Sequence, residues 1–386
     1  MNKFDSIRPY QDHEVNNTLK KLSFDRNIID TILDTNTYPL IKKLPFSRSL
    51  ISLMLWMKVR NIQSIKEYQD IFEGIVTNIV DKSIDNFSVS GIENLDKDKS
   101  YLFISNHRDI TLDSALLNLT LRKNGFNTTN NAVGNNLLNE EWASDLMRLN
   151  RSFIIDRSDK SKKDIYKSLF LASEFISMSL TEKNESIWIA QKQGRSKDGV
   201  DFTDPSVLKM IHLCGRKTKI NDFLNNLSVV PISISYEKDP NDLLKAKEIY
   251  LTSINSEYKK EPREDLQSIS DGITGHKGNV HLSIGKVLDF EEDCYEASAK
   301  LLTSKINNLY KCHATNEAAC VIQGFPLNDP HFSEEEVEHA MSYLRERLQL
   351  VEEGMQPFLL RQYSNCLLYT SPSPRDRTRS RMPSSA

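Results

Sequence analysis

The spacing of apolar residues divides the chain into three parts. Apolar positions recur at helical intervals from residue 1 to about 95, and the same spacing returns after residue 290. In the first part, the predicted helices are Leu19–Leu33 (with a break near Phe24), Phe46–Val59 and Ile62–Ile84. In the last part, Ser333 and Glu336 form a capping-box pattern before an amphipathic segment. Helical additions are therefore expected at both ends of the chain.

Between these ends, the pattern changes to short runs rich in β-branched and aromatic residues that alternate with helical segments. The predicted strands are 101–105, 130–134, 151–156, 186–191, 229–236 and 279–285, and the predicted helices among them are 114–123, 161–180 and 205–213. Such alternation is typical of an α/β fold. We expect a mostly parallel or mixed sheet covered by helices on both faces, with N-terminal and C-terminal helical additions.

These patterns suggest four segments. We expect an N-terminal helical region at 1–95, an α/β domain at 96–290, a C-terminal helical extension at 291–365 and a tail at 366–386. The tail is dominated by Ser, Pro and Arg and has no helical or strand periodicity. It resembles translated sequencing-adapter read-through, so we interpret it as an artefact and exclude it from reasoning about the fold.

Composition narrows the class of protein. The 386 residues are 39% apolar and 27% charged with a formal net charge of −3, so there is no strongly basic field that would favour nucleic acid as a partner. The five cysteines contain no CxxC pair, which predicts reduced thiols rather than a disulfide framework or a zinc site. The most apolar stretch, Leu50–Met57, is far shorter than the roughly 20 residues that cross a bilayer. A cytoplasmic protein is expected.

Unusual polar residues follow the predicted strands directly. Asn106, His107 and Arg108 follow the first strand, Arg157 closes the third, the segment 192–195 follows the fourth, and Glu237 follows the fifth. In open α/β sheets, ligands bind beyond the carboxyl ends of strands. The sequence therefore predicts one binding crevice lined by these clusters.

The clusters resemble the motifs of the glycerolipid acyltransferase family, whose members transfer a fatty acyl group to glycerol 3-phosphate or lysophosphatidate. The four similar segments, in the order of the family, are NHRDITLD (106–113), SFIIDR (152–157), IAQKQGRS (189–196) and VVPISISYE (229–237). The resemblance covers about residues 95 to 240 and, by extension, the whole α/β domain. It implies an acyl thioester donor, acyl-CoA or acyl carrier protein, as co-substrate, with no cofactor and no metal.

Acyl transfer to a hydroxyl needs a general base, and a histidine suits because its ordinary pKa lies near working pH. His107 is the candidate base, and a carboxylate is expected to hold its ring. Asp113 is favoured, although five residues separate it from His107 where the family usually has four. On one continuous helix this offset would turn the side chains about 240° apart, so the chain must turn before the helix begins. Asp109 is the rival carboxylate, with a helix-capping role as its alternative.

An acceptor phosphate would need cations and free backbone N–H groups. The expected substrate-binding residues are Asn106, Arg108, Arg157, Lys192, Gly194, Arg195 and Ser196. The third motif departs from the family, because Gln191, Lys192 and Gln193 stand where an acidic residue is usual. A changed acceptor or weaker activity would follow from this difference.

The helix predicted at Phe46–Val59 has two interpretations. Basic residues flank it, namely Lys42, Lys43, Arg48, Lys58 and Arg60. This pattern fits an anchor that rests among lipid head groups on the inner face of the cell membrane. It fits a buried helix of a small bundle equally well.

Together, the motifs predict an O-acyltransferase of phospholipid synthesis that uses a glycerol-phosphate or lysophospholipid hydroxyl as acceptor. One alternative keeps the chemistry and changes the acceptor to another lipid or amphiphile. The other is a catalytically weak module of the same fold that binds lipid or acyl carrier protein.

Overall fold

A seven-stranded sheet lies at the centre of the molecule. The computed structural model describes residues 3–34, 44, 46–135, 140–157, 161–255, 258–261, 264–327 and 330–368. The strands are β1 (Asn86–Ser90), β2 (Leu102–Ser105), β3 (Asn130–Gly134), β4 (Ser152–Ile155), β5 (Ile187–Ala190), β6 (Val229–Tyr236) and β7 (Asn279–Ile284).

The strand order is β1-β7-β6-β2-β5-β3-β4. Strands β6, β2, β5, β3 and β4 run parallel, β7 is antiparallel to β6, and β1 is parallel to β7. The sheet is therefore mixed, within the predicted class. Because β2, β5 and β6 are parallel neighbours, the segments that follow them meet at one edge of the sheet.

Helices cover both faces of the sheet, as predicted. Within the α/β part they are α5 (Leu112–Lys123), α6 (Glu141–Leu149), α7 (Lys162–Thr181), α8 (Pro205–Ile211), α9 (Ile220–Asn226), α10 (Asp242–Asn255) and α11 (Glu264–Thr274). Alternate residues of a strand point to opposite faces, so Leu102 and Ile104 pack in the core under α7 and α8, whereas Phe103 packs under α5. Burial on both sides explains why the central strands are almost wholly apolar.

The N-terminal region consists of α1 (Asp12–Ser23), α2 (Arg26–Asp34), α3 (Ser47–Val59) and α4 (Ile65–Ser83), with the predicted break between α1 and α2. The expectation of helix up to about residue 95 is wrong for 86–90, which forms β1 at the sheet edge. This strand carries two serines and is only partly buried, so it lacks the apolar signal of the central strands. The sheet thus begins before the boundary expected at residue 95.

The C-terminal extension is helical, as predicted. Its helices are α12 (Tyr295–Asn308), α13 (Ala314–Ile322), α14 (Glu334–Gln349) and α15 (Gln356–Leu368). The capping box forms at Ser333, whose hydroxyl accepts the N–H of Glu336. Helix α15 continues three residues beyond the boundary expected at residue 365, because Cys366 is buried against the fold. The rest of the tail, 369–386, lies outside the described residues.

None of the helices in the described part of the chain combines the length and the apolar character needed to cross a membrane.

Candidate active site

A histidine and an aspartate meet at the carboxyl end of β2. The Nδ1 atom of His107 lies 2.8 Å from Oδ2 of Asp113. The contact is possible because the chain leaves β2, turns through the segment 106–111 (the histidine loop) and enters α5 only at Leu112. Asp113 then lies in the first turn of α5, where the helix dipole favours a negative charge. The turn that the six-residue offset requires is therefore present.

The carboxylate of Asp113 is buried, and its hydrogen bonds compensate that burial. Oδ2 also accepts the backbone N–H groups of Arg108, at 2.6 Å, and Asp109, at 3.1 Å. Oδ1 accepts the hydroxyl of Tyr236 at 2.9 Å. Burial, and then the charge of Asp113, hold the pKa of Tyr236 well above its ordinary value, so this tyrosine stays a donor. Tyr236 lies within the fourth motif, but no local pattern links it to Asp113.

Asp109, the rival carboxylate, lies two residues before the N-cap residue of α5, Thr111, and bonds to the backbone there instead. Its Oδ1 accepts the N–H groups of Thr111 at 2.9 Å and Leu112 at 2.8 Å, at the start of α5. Burial, and then the neighbouring charge of Asp113, raise the pKa of Asp109. Asp113, the favoured partner, is therefore the carboxylate that accepts the hydrogen bond of the imidazole.

Because a carboxylate accepts, the short contact assigns a proton to Nδ1 of His107 and leaves the lone pair of the ring on Nε2. Within the described residues, Nε2 makes no hydrogen bond. The side chain is 15% exposed, and the ring of Trp188 meets it edge-on at 5.8 Å between centroids. A bound hydroxyl could give its proton to Nε2 from the solvent side.

The side chains of Asn106 and Arg108 bind other residues of the protein. The amide of Asn106 bonds with both the N–H and the carbonyl of Ile234 on β6, at 2.8 and 2.9 Å. The guanidinium of Arg108 pairs with buried Asp201 and lies over the ring of Tyr310. Both side chains are buried. These contacts favour a structural role for the two residues over the expected contact with substrate.

The loop at residues 191–204, which we call the glycine loop, is joined to the histidine loop. The N–H of Ser196 donates to the carbonyl of His107 at 2.7 Å, and Asp201 accepts from both Asn106 and Arg108. Lys192 donates to the carbonyl of Val200 at 2.9 Å, so it is held within its own loop. No sequence pattern pointed to Asp201, because its partners lie about 95 residues earlier in the chain.

Two arginines remain as candidates for binding an anionic group of a substrate. Nη1 of Arg195 is buried and has no hydrogen-bond partner within the described residues, and its charge acts on Asp109 and Asp239. Gly194 before it adopts a φ of +75°, which favours glycine. Arg157 donates to Gln193 at 3.1 Å. Burial lowers the pKa of Arg157 because it disfavours the charged guanidinium, and a nearby anion would offset that cost.

Part of the chain matches a known protein family. The acyltransferase family model matches residues 86–235, which span β1 to β6 and contain every expected site residue. No curated protein matches the sequence at a significant level. One solved structure that resembles the chain is the crystal structure of the 1-acyl-sn-glycerophosphate (LPA) acyltransferase PlsC from Thermotoga maritima. It shares 16% identity at a TM-score of 0.38, over 76% of this chain and 94% of that chain.

The assignment to a family rests on the family match and on the motifs within it, and not on the solved structure. The match confirms, at the level of the family, the resemblance that the four motifs indicated. Over residues 86–235, the chain matches the acyltransferase family model.

Proposed function

We propose that the protein is an O-acyltransferase that moves a fatty acyl group from an acyl thioester to the hydroxyl of a glycerol phosphate or a lysophospholipid. The observation that carries the proposal is the contact between His107 and Asp113, with the imidazole Nε2 open to solvent. This arrangement suits a general base that acts without a covalent enzyme intermediate.

The reaction is a direct displacement. Nε2 of His107 takes the proton from the acceptor hydroxyl while the oxygen attacks the carbonyl carbon of the thioester. A new C–O bond forms and the C–S bond breaks, and the departing thiolate takes the proton from the imidazolium. Asp113 stabilises the transient positive charge on the ring without becoming protonated itself. Such a base contributes about 10²–10⁴-fold to the rate.

Arg195 and Arg157 are our candidates for the phosphate of the acceptor, with the backbone at Gly194 beside them. Arg195 has an unused buried nitrogen, and Arg157 is partly desolvated. An arginine can hold a phosphate through two parallel hydrogen bonds, which would satisfy both groups. Gln193, one of the three residues that stand where the family usually has an acidic residue, accepts a hydrogen bond from Arg157. A neutral amide there leaves more positive charge for an anionic acceptor.

We also propose contact with a membrane surface through α3. Four large apolar side chains, Phe46, Leu50, Leu53 and Met57, are exposed and lie four, three and four residues apart, so they form one stripe. Ile51 on the opposite face is buried in the N-terminal bundle. Cationic Arg48, Lys58 and Arg60 accompany the stripe and complement anionic lipid head groups. Lys42 and Lys43 lie outside the described residues.

Two alternatives differ from this function in what they predict for an assay. An acyltransferase with another lipid or amphiphile as acceptor would release thiol only when that acceptor is present. A binding module with weak catalysis would retain lipid or acyl carrier protein without releasing thiol. The third motif, which has no acidic residue at 191–193, favours the first alternative.

The test is a panel of acceptors. Purified protein is incubated with acyl-CoA or acyl carrier protein and with glycerol 3-phosphate, lysophosphatidate or neutral lysolipids, and thiol release is measured while mass spectrometry identifies the product. We expect an acylated phosphate-bearing glycerolipid and one thiol released for each ester formed. Transfer only to an uncharged acceptor would contradict the phosphate assignment, and binding without thiol release would contradict the enzyme.

A further inference from the structure

We propose that Lys245 and Asp239 form a positioning pair that holds the histidine loop in its working geometry. This inference rests on the proposed function, because it concerns the same base. Neither residue belongs to the four motifs, and Lys245 lies on α10, after the last strand that the family model matches.

Lys245 is a buried lysine aimed at the histidine loop. It is 2% exposed, and its Nζ donates to the carbonyl oxygen of Arg108 at 2.8 Å. The same ammonium pairs with the carboxylate of Asp239. Burial acts to raise the pKa of Asp239, but the charge and hydrogen bond of Lys245, together with the N–H of Asn241 and the charge of Arg195, lower that pKa below its ordinary value. The pair is thus a fixed, charged donor to one backbone carbonyl.

The carbonyl of Arg108 belongs to a peptide unit whose N–H group donates to Asp113. The C=O of Arg108 points to Lys245, and the N–H of Asp109, on the other side of the same planar unit, donates to Oδ2 of Asp113. Rotating this unit away from Lys245 would also turn the N–H away from the carboxylate. Lys245 therefore controls one of the donors that hold the partner of His107.

The pair is tied in turn to the C-terminal extension. The N–H of Asp239 donates to the hydroxyl oxygen of Tyr363 on α15 at 3.2 Å, and that hydroxyl donates to Asp242 at 2.9 Å. Arg347 on α14 pairs with buried Asp242. The extension thus reaches the site through a chain of hydrogen bonds that ends at the carbonyl of Arg108.

The test compares two buried lysines that differ in what they contact. Lys245→Met removes the donor to Arg108. Lys277→Met is the matched control for the hydrogen bond, because Lys277 is 1% exposed and its charge also acts on Asp109 and Asp239, but it donates to Ser83 and Gly275, outside the histidine loop. Both variants are first checked for a cooperative unfolding transition. We expect Lys245→Met to lower kcat at least about tenfold with KM within about threefold, whereas Lys277→Met stays within about threefold of wild type in both.

Two further readouts separate positioning from a general loss of stability. Asp113 loses a compensating donor in Lys245→Met and attracts the ring proton more strongly, so the acidic limb of the kcat/KM profile should move to higher pH. Amide hydrogen exchange in peptides that cover residues 106–113 should become faster in Lys245→Met but not in Lys277→Met. Equal effects of the two substitutions on kcat and on exchange would overturn the proposal.

Asp239→Asn is a second variant in case Lys245→Met does not fold. It keeps the shape of the side chain and loosens Lys245, so kcat should fall in the same direction, by about threefold or more. An unchanged kcat would count against the pair. Absence of acyl transfer by the wild type would instead refute the proposed function, and the exchange measurement would still decide whether Lys245 orders the loop.

Discussion

At the scale of single residues, the site is built around the carboxylate of Asp113. Four donors converge on it: the ring of His107, two backbone N–H groups and the hydroxyl of Tyr236. A buried carboxylate is costly unless it is hydrogen-bonded, and these donors meet that cost while fixing the plane of the imidazole. Orientation of the ring thus depends on residues from both β6 and the histidine loop.

Tyr236→Phe tests this arrangement. The substitution removes one donor from Asp113 without changing the shape of the buried ring, so the carboxylate should hold the proton of His107 more strongly. We expect kcat to fall at least about tenfold, because a hydrogen bond to a charged group contributes about 1.5–3 kcal/mol, and the acidic limb of kcat/KM to move to higher pH. A pH series of initial rates measures both.

Tyr101→Phe is the matched control, because Tyr101 is also buried, and its hydroxyl oxygen accepts the N–H of Asp96 away from the site. Its profile should coincide with that of the wild type. If the pH profiles of the wild type, Tyr236→Phe and Tyr101→Phe coincide, Tyr236 does not help to hold Asp113 and His107 in place.

The sequence identified the residues that are local to a motif and missed those that come from elsewhere. His107 and Asp113 share one short segment that resembles the first family motif, so the resemblance predicted their contact although their spacing departs from that of the family. Asp201 and Lys245 contact that segment across about 93 and 137 residues of chain, and no local pattern encodes such a pairing. Arg108 was grouped with the phosphate ligands because the sequence shows its charge but not its burial against Asp201 and Tyr310.

At the scale of elements, burial decides which strands can be predicted from the sequence. The predicted strands at 130–134 and 229–236 coincide with β3 and β6. All residues of β6 are buried, which requires an apolar sequence. Strand β1 lies at an edge and pairs only with β7, so a short run with two serines is sufficient there.

Helix α3 provides the prediction at this scale. The triple substitution Leu50→Gln, Leu53→Gln and Met57→Gln keeps good helix formers and removes most of the exposed apolar stripe. Partitioning onto vesicles that contain an anionic phospholipid should fall more than about tenfold, since each apolar side chain buried in lipid contributes on the order of 1 kcal/mol or more. Vesicle sedimentation measures the bound fraction.

The control is Ile71→Gln with Ile75→Gln, which removes an exposed apolar pair from α4. Its binding should match that of the wild type. If the triple variant of α3 also sediments like the wild type, α3 is not the contact with the membrane.

At the scale of the whole molecule, the C-terminal extension is attached to the sheet through polar contacts close to the site. His313, before α13, has its Nε2 3.1 Å from the hydroxyl of Ser235 on β6. Arg108 lies over Tyr310, and Asp242 pairs with Arg347. The sequence predicted the helices of the extension from their periodicity, but not this attachment, which depends on the three-dimensional arrangement of distant polar residues.

The attachment should be sensitive to acid. Burial lowers the pKa of His313 to about 4, against about 6.5 in an unfolded chain. Between these values the unfolded chain binds a proton that the folded protein does not, so the free energy of unfolding falls as the pH drops through this window. The contribution amounts to about 3 kcal/mol by pH 4.

His313→Asn should remove this part of the acid sensitivity. Urea unfolding of wild type and variant at intervals between pH 7 and 4.5 gives the difference, which should shrink or change sign as the pH falls. The exposed His276, replaced by Asn, serves as the control and should keep the slope of the wild type. Parallel curves for wild type and His313→Asn would contradict the assignment.

The most direct measurement for the account as a whole is the rate of acyl transfer by His107→Ala, with the acceptor on which the wild type is active and with unfolding curves to verify that the variant is folded. His107 is partly exposed and accounts for little of the core, so the fold should persist. We predict that transfer falls below about 1% of the wild-type rate. A folded His107→Ala variant that transfers acyl groups faster than this would contradict the general-base role on which the account rests.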